Sequence, residues 1–153
     1  MKKLVLIASF CLAGMIGKAQ SNSDTDKSVA SLNQTDGIVA EYFDNGILKH
    51  EMNLVKGQLE GQMKVYFEDG ILQEIRSYKA GKFDGTWVTF NANGIKVAEA
   101  NFKNNLKNGK WIIWDDKGTK RCEMVYENGK KIGKWVTWDE NGVLVSEKDY
   151  TNL

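Results

Sequence analysis

The sequence predicts an all-β protein: an open, single-layer antiparallel meander of about five tandem 24-residue β-hairpin repeats. Three observations predict it. Glycines recur on a fixed 24-residue step, aromatic residues recur in phase with them, and nothing beyond residue 19 sustains 3.6-residue apolar spacing. The 153-residue chain has 15 glycines and no proline. Two of those glycines lie within residues 1–19; the other thirteen all fall on the lattice. One series is Gly37, Gly61, Gly85, Gly109 and Gly133, and a second is Gly46, Gly70, Gly94, Gly118 and Gly142. The third is Gly57, Gly81 and Gly129, with Asn105 standing where its missing member belongs. Absence of proline suits strands that must pair along both edges.

The N-terminal residues predict export. Lys2 and Lys3 precede an apolar run from Leu4 to Ile16, too short for the roughly 20 residues a bilayer span needs. Small residues Gly17 and Ala19 follow, so residues 1–19 have the layout of a secretory signal peptide cleaved between Ala19 and Gln20. The mature protein is then expected to be periplasmic or extracellular. Cleavage removes Lys2, Lys3 and Lys18 and leaves eighteen basic against twenty acidic residues, which gives no reason to expect a nucleic-acid partner. It also leaves Cys122 as the lone cysteine, expected to be a small buried apolar group. Residues 20–36, rich in Ser, Asn, Asp, Thr and Gln, predict a disordered linker.

The repeats then follow as 37–60, 61–84, 85–108, 109–132 and 133–153. Two residues after the first glycine come Val39, Met63, Trp87, Trp111 and Trp135; five after it come Tyr42, Tyr66, Phe90, Trp114 and Trp138. Seventeen after it come Leu54, Tyr78, Phe102, Tyr126 and Tyr150. Stretches such as Trp135-Val136-Thr137-Trp138 carry the aromatic and β-branched residues that suit strands. Asp44-Asn45-Gly46 and its equivalents supply hairpin turns, with loops of two or three residues equally compatible. Connections such as Gly129-Lys130-Lys131-Ile132-Gly133 lead into the next repeat. Asn105 tolerates the left-handed backbone and is expected to replace glycine there.

The segment from Tyr126 through Gly129, Gly133, Trp135 and Trp138 to Gly142 resembles the MORN repeat (membrane occupation and recognition nexus). It is more closely similar to the bacterial MORN variant whose members are often labelled antitoxins of toxin–antitoxin systems. The likeness recurs across residues 37–153, with departures at Val39, Met63 and Asn105. The resemblance implies a β-hairpin array used for binding.

Chemistry-bearing patterns are absent, and neither an enzyme, a cofactor nor a metal is expected. The sole histidine, His50, would have to serve any serine or cysteine nucleophile. No His/Cys cluster has zinc spacing, and Asp115-Asp116 offers too few oxygens for calcium. Glu51, Glu99, Glu123 and Glu147 occupy one repeat position, which suits a solvated or cross-strand partner better than a unique catalytic pair.

Binding candidates therefore come from the repeat itself. Alternation along a strand sends Trp87, Trp111 and Trp135 to one face and Phe90, Trp114 and Trp138 to the other. Each column is expected to pack on its own copies 24 residues away, or to stay open as a docking stripe. Hairpin turns carry Asp44, Glu68, Asp69, Asp115, Asp116, Asp139 and Glu140. The opposite rim carries Lys56, Lys79, Lys82, Lys103, Lys107, Lys110, Lys130, Lys131 and Lys134. The aromatic columns, with Lys107, Lys110, Lys130, Lys131 and Lys134, are the candidate binding residues. The partner class expected is another protein. Alternatives are a cell-envelope glycan stacked on exposed rings, an anionic membrane surface, or the toxin of an immunity-type pair. Open sheet edges also permit self-association.

Overall fold

A computed structural model of the chain describes residues 36–151. The expected signal peptide, and all of the expected linker except Asp36, lie outside the described residues. The strands are β1 (Gly37–Tyr42), β2 (Leu48–Val55), β3 (Gln58–Leu59), β4 (Gly61–Tyr66), β5 (Leu72–Lys79) and β6 (Lys82–Phe90). They continue as β7 (Lys96–Lys103), β8 (Leu106–Lys107), β9 (Gly109–Trp114), β10 (Lys120–Glu127), β11 (Lys130–Trp138) and β12 (Leu144–Asp149). All lie in one antiparallel sheet in chain order, with β3 paired to β2 and β8 to β7. β3 and β4 are one strand interrupted at Glu60, and β8 and β9 one interrupted at Asn108. Their equivalents β6 and β11 run unbroken. The path is thus a ten-strand meander.

The two rims use different turns. At one, Phe43 and Gly46 close a three-residue loop: Gly46 donates its N–H to the Phe43 carbonyl, and Phe43 donates to that of Ile47. The same pair of bonds recurs at Phe67, Asn91, Asp115 and Asp139. A side-chain oxygen fixes each of these loops, as where Asp115 Oδ1 accepts from the N–H groups of Lys117 and Thr119. At the other rim, where repeats join, the turns have two residues, both with positive φ: Lys56-Gly57, Ala80-Gly81, Asn104-Asn105 and Asn128-Gly129. Asn105, at φ +67°, adopts the backbone its glycine counterparts use.

Beside every three-residue loop the pairing register slips, as between Val65 and Tyr66 and between Thr89 and Phe90. These bulges add twist, and the added residue falls on the same side as its C-terminal neighbour. Positions are counted here from the first glycine of each repeat, which is position 0. The buried side chains occupy positions 2 (Val39, Met63, Trp111), 13 (His50, Cys122), 15 (Met52, Met124) and 17 (Leu54, Tyr78, Phe102, Tyr126). Val97, the extra residue of its bulge, completes the set. One face of the sheet is therefore the core.

Asp36, the last residue of the expected linker, is bonded to the array. Its Oδ1 accepts the Lys56 N–H at 2.8 Å, so it belongs to the array. Glu60, Asp84 and Asn108, each one residue before a first glycine, do the same for Ala80, Asn104 and Asn128. A polar acceptor thus holds each strained two-residue turn against the start of its own repeat.

Candidate functional site

On the core face, rings from positions 2 and 17 alternate in a ladder. It runs Trp87–Phe102 (6.0 Å between centroids), Phe102–Trp111 (5.1 Å), Trp111–Tyr126 (5.2 Å), Tyr126–Trp135 (5.1 Å) and Trp135–Tyr150 (5.1 Å). Packing within one column 24 residues apart is therefore not what the chain does: adjacent strands interpose the position-17 ring. Trp111, only 1% exposed, is a core residue and is not available as part of a docking stripe. Its Nε1 donates to the Asn101 carbonyl, as Trp135 Nε1 does to that of Val125. Trp87 lies flat on Phe83 at 5.3 Å, and its buried Nε1 has no hydrogen-bond partner among the described residues.

Cations cap this ladder. Lys107 Nζ lies 4.5 Å from the Trp111 ring centre and 5.0 Å from that of Tyr126. Lys131 repeats the arrangement over Trp135 (4.4 Å) and Tyr150 (5.3 Å), while Arg76 covers Trp87 at 4.7 Å. Burial, and then the charge of Lys131, holds the Lys107 ammonium below the usual lysine range. Burial pushes the Tyr126 phenol up to about 12, with Cys122 and Tyr150 adding to the effect. Lys107 and Lys131, placed by the sequence on a basic rim, are thus drawn over aromatic rings.

The opposite face is an ion-paired surface. Glu51 bonds Lys64 at 2.9 Å, Glu99 bonds Lys96 at 3.0 Å and Glu147 bonds Lys134 at 2.7 Å. Glu123 bonds both Lys110 (3.2 Å) and Lys120 (2.9 Å), and those two hydrogen bonds outweigh desolvation and hold its carboxyl below the usual range. Glu51, Glu123 and Glu147 each pair across to a neighbouring strand, whereas Glu99 pairs with Lys96 on its own strand. Lys96 also lies 4.4 Å over Trp114, and Lys120 4.4 Å over Trp138. Phe90, Trp114 and Trp138 remain half-buried on this face. The structure thus separates the two candidate aromatic columns, and it divides the candidate lysines between the two faces. Lys130 stays exposed at the start of β11, opposite Glu127.

His50, buried at position 13, lies 3.3 Å from Glu41, whose other oxygen takes a 2.8 Å bond from Lys49. Burial lowers the His50 pKa, against the pull of Glu41. The Lys49 bond holds the Glu41 carboxyl below its ordinary value. Among the described residues no group of His, Cys, Asp and Glu side chains is arranged to hold a metal ion.

The acceptor column of Asp36, Glu60, Asp84 and Asn108 was not singled out from the sequence, although it keeps the same 24-residue step. Mixed chemistry hides it: two aspartates, a glutamate and an asparagine do one job.

The geometry defines a class first: a tandem β-hairpin repeat protein with one aromatic core face and one ion-paired face. The family described as MORN repeat variant matches residues 59–80, 83–104 and 131–152. Each window spans one hairpin and starts in the same phase, since 83 − 59 is 24 and 131 − 83 is 48. Three of the hairpins thus match MORN repeats of this variant type. No curated protein matches it.

Proposed function

We propose that this protein is an exported, non-enzymatic repeat module that binds another protein through its ion-paired face. The observation carrying this reading is the pair of equivalent clusters Trp114/Lys96/Glu99 and Trp138/Lys120/Glu123. They set half-exposed indoles among fixed charges at a constant 24-residue interval. Aromatic anchors ringed by polar groups are what protein interfaces use. A sugar would stack on a bare ring face, whereas one face of each indole here already carries an ammonium 4.4 Å away, which favours a protein over a glycan. MORN repeats commonly serve as protein- or membrane-binding modules, in keeping with this reading. The only histidine is buried beside Glu41 rather than presented to a substrate, which supports a non-enzymatic role.

The test is capture from the cell-envelope fraction with the purified protein and with a Trp114→Ala/Trp138→Ala variant. A protein retained by the first and lost with the second supports the reading. Release by soluble envelope glycan, or salt-sensitive flotation with anionic vesicles and no protein captured, would replace it. Recovery in the cytosol rather than the envelope or medium would remove the exported part.

A further inference from the structure

The strand β12 repeats, at its contact positions, a strand that lies inside the array. β5 carries Leu72, Arg76 and Tyr78 at positions 11, 15 and 17; the β12 segment carries Leu144, Lys148 and Tyr150 there. β5 is covered on its outer side by β6, whereas β12 pairs with β11 alone among the described residues. Exposure differs accordingly. Every residue of β12 is exposed, while β5 is half-buried or buried from Leu72 to Tyr78. Val145 is 64% exposed and its counterpart Val97 only 5%. Val143 and Leu144 are 60% and 55% exposed, so three consecutive apolar side chains stand in water at this edge. Contiguous exposed apolar groups mark a contact surface.

The backbone of that edge is set to pair. Tyr150 donates its N–H to the Gly133 carbonyl, so Lys148 also points its backbone groups at β11. By the same alternation those of Glu147 and Asp149 point outward. Inside the array position 16 is used in this way: the Asn53 and Asn101 carbonyls accept N–H bonds from Glu60 and Asn108 on the strand that follows.

The internal seams define the strand that matches this edge. Where position 15 is a cation, Arg76, the residue opposite is Trp87, with the guanidinium 4.7 Å from its ring centre. Lys148 is such a cation, and a ring opposite it would continue the ladder from Tyr150. Opposite position 14 stand Lys64, Val88, Ile112 and Val136 at position 3. Opposite position 13 the residue at position 4 is β-branched at every seam: Val65, Thr89, Ile113 and Thr137. Lys96 and Lys120 at position 11 cover the large rings Trp114 and Trp138, whereas Leu48 and Leu72 precede the smaller Tyr66 and Phe90. Leu144 is of the second kind. Glycine stands two residues before the first ring, because a Cβ on Gly85 would lie 2.9 Å from Ser77 Cβ and one on Gly109 3.3 Å from Asn101 Cβ. The pattern is therefore Gly-x-Trp-Val-Thr-Phe, as in Gly85–Phe90. β1 of this chain is not that strand: it reads Val39-Ala40-Glu41-Tyr42, with a charge at position 4, and Val39 is only 6% exposed. β6 itself is paired on both sides.

We propose that the outer edge of β12 is a docking site for another protein, which adds one further strand to the meander. The occupant is a second hairpin-repeat protein whose first strand is open and reads glycine, any residue, an aromatic ring, an aliphatic residue, a β-branched residue and a small ring. Backbone pairing to Glu147 and Asp149 supplies attachment, and the two rings set on Tyr150/Lys148 and on Leu144 supply specificity. The contact continues the interface that already joins repeats, and it is separate from the ion-paired face.

The probe is the capped peptide Gly-Thr-Trp-Val-Thr-Phe-Asn, a copy of residues 85–91, titrated into the purified isotope-labelled protein while amide shifts are read by NMR. The expected result is a saturable one-to-one shift confined to Leu144–Tyr150. The same peptide N-methylated at its valine lacks the N–H that the Glu147 carbonyl would take, and should bind at least about tenfold more weakly. Glu147→Pro should abolish binding with circular dichroism unchanged, since the N–H it removes points out of the sheet. If that variant does not fold, the N-methylated peptide decides alone. No saturable shift, equal binding of the two peptides, or shifts centred on Trp114 and Trp138 would overturn the proposal. So would β12 amides that move with the concentration of the protein alone, because the occupant would then be a second copy.

Discussion

The two faces of this sheet are built from the same repeat and held by different forces. On one, alternating positions 2 and 17 give a continuous ladder of rings about 5 Å apart, closed over by Lys107, Lys131 and Arg76. On the other, glutamates at position 14 take lysines from their own and neighbouring strands. The first face loses water on folding and so carries most of the stability. The second stays wet, where each ion pair contributes little, and so is free to vary its chemistry for a partner. On the function proposed above, a single-layer sheet separates folding from recognition by facing them in opposite directions.

The sharpest way to break that contrast is to delete one indole from each face. Trp111→Ala should cost about 3–5 kcal/mol, as large-to-small changes in a closed core do. Trp114→Ala should cost about 1–2 kcal/mol for the half-buried area it loses. Urea unfolding of both variants measures the difference, and equal losses would mean that both faces carry the fold.

Glycine at a seam comes next. Gly85 combines φ +108° with a Cβ position 2.9 Å from that of Ser77, whereas Gly46 has a positive φ and open space. Gly85→Ala should therefore destabilise by more than about 1 kcal/mol, and by more than Gly46→Ala, in the same unfolding assay.

Acidification should weaken the ladder face through His50. Because burial lowers its pKa when folded, the unfolded imidazole takes a proton first. Stability is then greatest above the ordinary histidine value and falls as pH drops through about 6.5. Glu41, whose carboxyl is held low, adds a separate loss as pH falls below the ordinary carboxylate range. Melting temperatures at pH 7.5 and pH 5.5 should differ less in His50→Gln than in the parent. Loss of Glu41 as well should deepen the His50 shift, because its attraction is removed.

The smallest effect belongs to the ion-paired face. Glu51→Gln, which breaks the pair with Lys64, should leave the unfolding curve unchanged within the precision of the measurement. It should be readable only as a change in partner binding.

The architecture was legible because backbone demands recur: three of the columns that take a positive φ every 24 positions hold glycine, or once asparagine, and only the column of Lys56, Ala80, Asn104 and Asn128 is looser. Asn105 is the instructive member, since it keeps the φ while losing the glycine. The choice of core face was not legible. It depends on the three-residue loop and its bulge, and Asp-Asn-Gly sequences fit a two-residue loop equally well. For the same reason, the placement of Lys107 over Trp111 could not be read from spacing. Lys107 and Lys110 are three residues apart in the chain, yet they lie on opposite faces, one over rings and one on Glu123.

The hydrogen bonds that hold the two-residue turns close within single hairpins, each on the residue just before the hairpin's first glycine: Lys56 donates to Asp36, Ala80 to Glu60, Asn104 to Asp84 and Asn128 to Asn108. A hairpin therefore carries its own fastening and shares with its neighbours sheet pairing, ring contact and a few side-chain bonds, such as Lys64 to Glu51 and Asn45 to the Glu68 carbonyl. A block of 24 residues is in that sense an exchangeable part. Excising 85–108 would bring Tyr78 and Phe83 up to Trp111 with every acceptor still matched to its turn. The array is a ruler whose graduations are hairpins, and gene-level gain or loss of one graduation would change its reach without changing its construction.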